Sequence, residues 1–121
     1  MYVLVLSRDG LRVPFYVGET SNLTKRMGDY QCASFQASTD FKVGEALRYL
    51  IETQKCGIEV LFRASATGKK DERQLIRELQ VLGVHLLNSL LGFNYWEANA
   101  DDERKVIEKF CAMLVRHACL F

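Results

Sequence analysis

Tyr16-Val17-Gly18, followed after Glu19 by Thr20-Ser21-Asn22-Leu23-Thr24-Lys25-Arg26, reads as a strand that ends on a tyrosine and a glycine and gives way to a capped helix. Gly18 permits a tight exit from the strand, and Thr20 or Ser21 can accept a hydrogen bond from a free backbone N–H in the first helical turn. Asn22, Arg26 and Tyr30 recur at intervals of four, so they share one face of that helix. A polar face turned toward a strand-end tyrosine points to a functional site, because stability alone would place apolar residues there.

Working outward, the chain reads as α+β, with a small mixed three-stranded sheet flanked by helices. Residues 2 to 7 and 13 to 18 are apolar runs flanking Arg8-Asp9-Gly10, whose Asp-Gly is a turn signal, so they form a hairpin. The helix of 21 to 30 follows, and 31 to 40, rich in Ser, Gln, Ala and Thr without a clear period, reads as a loop. Val43, Ala46, Leu47, Leu50 and Ile51 define a helix over 43 to 55, which Gly57 can close. Residues 58 to 64 form a third strand, followed by a Ser-Ala-Thr-Gly turn. A helix over 69 to 82 places Leu75, Ile76, Leu79 and Leu82 on one stripe. A last helix over 101 to 119, capped by Asp101 or Asp102, packs Val106, Ile107, Phe110, Leu114 and Val115 against the core.

Glu72 lies on the same stripe as Leu75 and Ile76. A carboxylate facing a core is costly unless it is paired or binds a cation, so this position suggests a task. The plainer account is a hydrated glutamate in a first helical turn, where the helix dipole favours negative charge.

These residues together resemble the GIY-YIG nuclease family. Its pattern is a short first strand, a Y-I-G or Y-V-G strand end, an N-L-x-x-R helix, a glutamate often within E-x-x-L-I, and a later asparagine. Tyr16-Val17-Gly18, Asn22 to Arg26, Glu72-Arg73-Gln74-Leu75-Ile76 and Leu87-Asn88 stand in that order. The family's first motif, G-I-Y, has no direct match. The register with the shorter hairpin loop lays Leu4 where the tyrosine would stand and Tyr2 at the glycine position. A slide of two residues brings Tyr2 into that slot on the same face of the strand.

The resemblance implies hydrolysis of DNA phosphodiesters, with RNA an open alternative, assisted by one divalent cation, Mg2+ or Mn2+. Glu72 would be the metal ligand. Arg26 would brace the phosphate, Tyr16 would orient or deprotonate the attacking water, and Asn88 would position the site or a phosphate. Tyr2 joins this catalytic set through the slid register. Gly18, Asn22, Lys25, Tyr30, Lys69, Lys70 and Arg73 are the expected substrate contacts. Arg26 and a cation would both lower the phenol pKa of Tyr16 from its free value of about 10. Glu19 is either a solvent-facing loop residue or a modulator of the metal. A second reading, suggested by Leu4 and by the near-neutral charge, is a nucleic-acid-binding module that keeps the scaffold with weakened chemistry.

Composition bounds the alternatives. With 121 residues, 49% of them hydrophobic, the chain reads as one domain, with its nuclease-like core over about 1 to 90 and the terminal helix beyond. The amino terminus lacks the pattern of a signal peptide and no apolar run reaches membrane-spanning length, so a cytoplasmic location without membrane contact is the expectation, with nucleoid association as an alternative. Cys32, Cys56, Cys111 and Cys119 lack zinc-site spacing and read as reduced thiols. Sixteen Lys and Arg against fifteen Asp and Glu leave a formal charge of +1, so attraction to phosphate must come from local clustering. Lys69, Lys70, Arg73 and Arg77 around Glu72, and Lys25 with Arg26, supply such clusters, unless they form an ordinary solvated face. Tyr95 and Trp96 either stack on bases or fill a core edge, and the apolar Leu120-Phe121 end suggests a homodimer contact.

Overall fold

Asp9 and Gly10 adopt φ of 51° and 82°, the positive pair that a two-residue type I′ turn requires. They join β1 (Tyr2–Arg8) to β2 (Leu11–Gly18). This and the other elements come from a computed structural model that describes residues 1–63, 68–89, 97 and 99–119. The hairpin ladder pairs Tyr2 with Gly18 and Leu4 with Tyr16, then slips so that Val5 faces Pro14. Phe15 is therefore the extra residue of a β-bulge, beside the strand-end tyrosine. A third strand, β3 (Gly57–Phe62), lies on the other side of β1, giving the order β2-β1-β3.

Both pairings are antiparallel, so the expected mixed sheet is corrected. The central β1 runs against both neighbours. β2 and β3 share a direction but never touch, because the helical connection between them carries the chain across β1.

α1 (Leu23–Gln31) starts two residues later than the expected 21, and its cap is neither Thr20 nor Ser21. Asn22 Oδ1 accepts from Lys25 N at 3.1 Å, while Thr20 Oγ1 accepts from Asn22 N at 3.1 Å and so braces the cap. α2 (Ser38–Arg48) begins five residues before the expected 43, inside what reads as a loop, and runs on into a π-helical turn over Tyr49–Thr53. Its opening residues are polar and hide the apolar period. Asp40 suits the first turn of a helix, and the Phe35 and Phe41 rings meet edge-to-face at 5.5 Å to hold this turn down. Lys55, not Gly57, takes the left-handed conformation after the π turn, with φ of 57°.

Further along lie α3 (Gly68–Val81), a 3-10 turn over Leu87–Ser89 and α4 (Ala100–Cys119). Asn99 Oδ1 accepts from Asp102 N at 2.9 Å, so Asn99 takes the capping role expected of Asp101 or Asp102.

The core lies between one face of the sheet and the helices α2 and α4. Leu4, Leu6 and Phe15 meet Val43, Ala46, Leu50, Ile107 and Leu114, all fully buried. Lys42 of α2 and Glu103 of α4 are also buried, with Nζ 3.6 Å from Oε1, and Glu103 Oε2 accepts from Glu97 N at 3.0 Å. On the opposite face Val3, Val5 and Leu61 look toward Leu75 and Leu79 of α3 across a cavity of about 320 Å3. The stripe expected on α3 is thus only partly used. Leu75, Ile76 and Leu79 are half-buried, whereas Leu82 is 77% exposed beyond the helix end.

Among the described cysteines Cys32 is exposed, Cys56 and Cys111 are buried, and all are free thiols. Burial pushes Cys111 up to about 12. No helix among the described residues is long and apolar enough to cross a membrane. Tyr95, Trp96, the Ser65-to-Thr67 turn and Leu120-Phe121 lie outside the described residues.

Candidate active site

The end of the sheet opposite the hairpin turn gathers three phenols. Tyr2 and Tyr16 stand on one face of the ladder, since Tyr2 is opposite Gly18 and Leu4 is opposite Tyr16. A Cβ on Gly18 would overlap the Tyr2 ring. Gly18 has no positive φ. Its lack of a side chain serves to admit the Tyr2 ring, not the tight strand exit expected from sequence. Tyr30, the buried residue of α1, completes the group: its hydroxyl and that of Tyr2 share a short hydrogen bond. The Tyr16 ring lies 6.2 Å from that of Tyr2 and packs edge-to-face on Tyr30 at 6.5 Å.

Arg26 reaches this cluster from one turn earlier on α1. Its guanidinium carbon sits 4.7 Å over the Tyr30 ring, within cation–π range. Nη2 meets Asp40 Oδ1 at 2.7 Å, while Asp29 Oδ2 lies 3.9 Å from Nη1. Burial opposes the charge of Arg26, but Tyr30, Asp40 and Tyr2 outweigh it and hold the group firmly protonated.

The phenols respond to burial more than to Arg26. Desolvation raises the pKa of Tyr16 well above the ordinary tyrosine value, the Tyr2 phenol adds to the rise, and the charge of Arg26 offsets only part of it. Tyr2 and Tyr30 are raised too, again chiefly by burial. Arg26 lowers the Tyr16 pKa, as its spacing leads one to expect, but burial outweighs it. At neutral pH all three hydroxyls are intact donors and acceptors.

Glu72 sits in the first turns of α3, half-buried, and its charge acts on Tyr16. Its own pKa is raised, first by burial and next by the charge of Glu19, with Lys69, the terminal ammonium and Arg73 pulling the other way. Glu19 is drawn inward as well: Oε2 is buried without a hydrogen-bond partner, 3.8 Å from the Met1 ammonium. Glu19 is thus a neighbour of Glu72 and not a solvent-facing loop residue. Two carboxylates that feel each other's charge, one with an oxygen that lacks a hydrogen-bond partner, are hard oxygen donors of the kind a divalent cation takes. Among the described residues no three acidic, His or Cys side chains group together, so water and phosphate would complete the coordination, as suits Mg2+ or Mn2+.

Asn88, in the 3-10 turn, binds the strand rather than open space. Its Oδ1 accepts from Val17 N and its Nδ2 donates to Val17 O, each at 2.9 Å. Both amide groups mimic a neighbouring strand and tie the centre of Tyr16-Val17-Gly18 in place.

The other expected contacts divide. Lys25, Lys69, Lys70 and Arg73 are exposed, and of these Lys69 and Arg73 act on the Glu72 carboxylate. Asn22 is engaged as the α1 cap. Leu4 is fully buried in the core beside Tyr16, while Tyr2 presents its hydroxyl to Tyr30. Asp40 is the member that sequence reading overlooks. Its only signal is an acid at the start of an unrecognised helix. A cavity of about 580 Å3 opens at the other end of the hairpin, lined by Arg8, Asp9, Arg12 and Lys55, away from this constellation. Compared with protein-family models, with curated proteins and with solved structures, the chain matches none of them.

Proposed function

We propose that this chain is a metal-dependent endonuclease of the GIY-YIG kind, which hydrolyses DNA phosphodiester bonds with one divalent cation. The observation that carries this reading is the meeting of Tyr2, Tyr16, Tyr30 and Arg26 at the end of the sheet where Glu72 acts on Tyr16. These residues come from three parts of the chain, and a core built for stability alone would place apolar groups there.

Each side chain has a role that its chemistry supports. Arg26 braces the phosphate with its planar, permanently charged fork. Tyr16, a protonated phenol, orients the attacking water through its hydroxyl, with Tyr2 and Tyr30 fixing the hydrogen-bond chain behind it. Glu72 holds the cation, and Glu19 adds negative charge beside it. When bound, Mg2+ or Mn2+ supplies Lewis acidity for the departing oxygen and lowers the pKa of a coordinated water. Asn88 acts at one remove, by keeping Val17 and hence Tyr16 in register.

Burial of Leu4 in the first motif favours a second reading, a nucleic-acid-binding module whose chemistry has weakened. Cleavage of a panel of labelled DNA structures by wild type and Glu72→Ala, with Mg2+, Mn2+ or EDTA, separates the two. The nuclease cuts with metal and stops cutting in Glu72→Ala. Salt-sensitive binding by both proteins without cutting selects the binding module.

A further inference from the structure

Arg26 is held from three directions, by the Tyr30 ring, by a hydrogen bond with Tyr2 and by Asp40. The Tyr30 ring, 4.7 Å from the guanidinium carbon, attracts the charge without choosing where the N–H groups point, and Tyr2 is a neutral partner that leaves the fork freedom to turn. Asp40 removes this freedom through the 2.7 Å contact of Oδ1 with Nη2, which is short enough for a charge-assisted hydrogen bond. Asp29 stands on α1 itself at 3.9 Å, beyond hydrogen-bond distance, and cannot fix the orientation. Arg26 and Asp40 are about three-quarters buried, at 25% and 24% side-chain exposure, so this pair is better shielded than an ordinary surface ion pair.

We propose that Asp40 is a positioning residue for Arg26, orienting the guanidinium so that its other N–H groups face the scissile phosphate. This rests on the nuclease reading above. Asp40 belongs to α2 and Arg26 to α1, so the packing of the two helices sets the aim of the phosphate-bracing group. Asp40 also carries a negative charge into a site meant for phosphate. Its presence weakens encounter with DNA, a cost that an orienting role in the bound complex offsets. A helix-dipole role for Asp40 would stabilise α2 without affecting catalysis.

The test compares wild type, Asp40→Asn, Asp40→Glu, Arg26→Ala and the double variant Arg26→Ala/Asp40→Asn, using a labelled DNA duplex or branched substrate with Mg2+ or Mn2+. Asp40→Asn lowers kcat on the order of 10- to 100-fold, as expected for a misaimed catalytic group. Its Kd for the same DNA, measured in EDTA, stays equal or tightens, because a negative charge is gone. Asp40→Glu recovers part of kcat, and Asp40→Asn adds no further loss in the Arg26→Ala background. The guanidinium 15N–1H NMR signals of Arg26, recorded without DNA, are resolved in wild type and averaged in Asp40→Asn.

An Asp40→Asn protein with full kcat, or with Arg26 signals still resolved, overturns the positioning role and leaves the nuclease reading standing. Additive losses in the double variant overturn it too, since they mean Asp40 acts by another route. A wild type that cuts none of the DNA substrates with either metal overturns the nuclease reading, and the positioning role falls with it.

Discussion

Tyr2 faces Gly18 across the β1–β2 ladder, and the ring lies where a Cβ on Gly18 would be. Gly18→Ala therefore forces the ring or the strand to shift, costing about 1–3 kcal/mol as other overpacked sites do. Tyr2→Ala is itself costly because it empties a buried site, but in that background Gly18→Ala costs little, since the ring it would meet is gone. Urea unfolding of the two single variants and the double measures the coupling; losses that merely add would place the strain elsewhere. Asn88 offers a second check at this scale. Asn88→Ala strips both hydrogen bonds from Val17 and leaves a part-buried N–H and C=O without them, costing on the order of 1–3 kcal/mol. On the proposed nuclease reading, cleavage falls with it because Tyr16 is next in the strand. Unfolding midpoints and kcat measured on the same preparation test both halves. The sequence singles out Asn88 as a neutral hydrogen-bonding residue. That its partner is Val17 was not legible, since the two are 71 residues apart.

Between elements, the contact of α2 with α4 contains a lysine and a glutamate at 2% side-chain exposure each. Nothing in a local window distinguishes Lys42 or Glu103 from the other charged residues of their helices. Breaking the pair by Lys42→Met leaves a buried carboxylate without its counter-ion, and a loss of about 3–5 kcal/mol is expected. The double change Lys42→Met/Glu103→Leu removes both charges and returns most of that stability. Thermal or urea unfolding of the three proteins decides it: a single variant as stable as wild type would mean that the pair does not hold the two helices. The same lesson applies to the start of α2. Ser38, Thr39 and Asp40 carry no apolar period, so the helix shows its amphipathic pattern only from Val43, and Asp40 was hidden in an apparent loop. The hairpin was legible because Asp-Gly demands a specific turn geometry.

At the scale of the whole molecule, the tyrosine cluster couples stability to alkaline pH. Tyr2, Tyr16 and Tyr30 all have pKa values raised on folding, burial being the largest cause in each. Free tyrosines ionise near about pH 10. Below that value both folded and unfolded chains keep the phenols protonated, and the contribution to stability is fully present. Above it the unfolded chain releases protons first, so stability falls as pH rises toward the folded values, by up to about 1.4 kcal/mol per pH unit for each phenol. Tyrosinate absorbance followed beside circular dichroism is expected to show these phenols ionising only as the fold is lost. Ionisation of every tyrosine near pH 10 with the fold intact would contradict the burial argument.

The Asp-Gly hairpin, the apolar periods of the helices, and residue types suited to phosphate and metal chemistry at Tyr16, Arg26 and Glu72 are all local features, readable along the chain. Those signals survive in one dimension because turn geometry and helical spacing act over a few residues. The all-antiparallel sheet order, the Tyr2–Gly18 fit, the Asn88–Val17 clasp, the Asp40–Arg26 pair and the upward shift of the phenols arise from folding. Each depends on groups far apart in the chain meeting in a desolvated place, and burial is a property of the packed whole that no window of sequence contains.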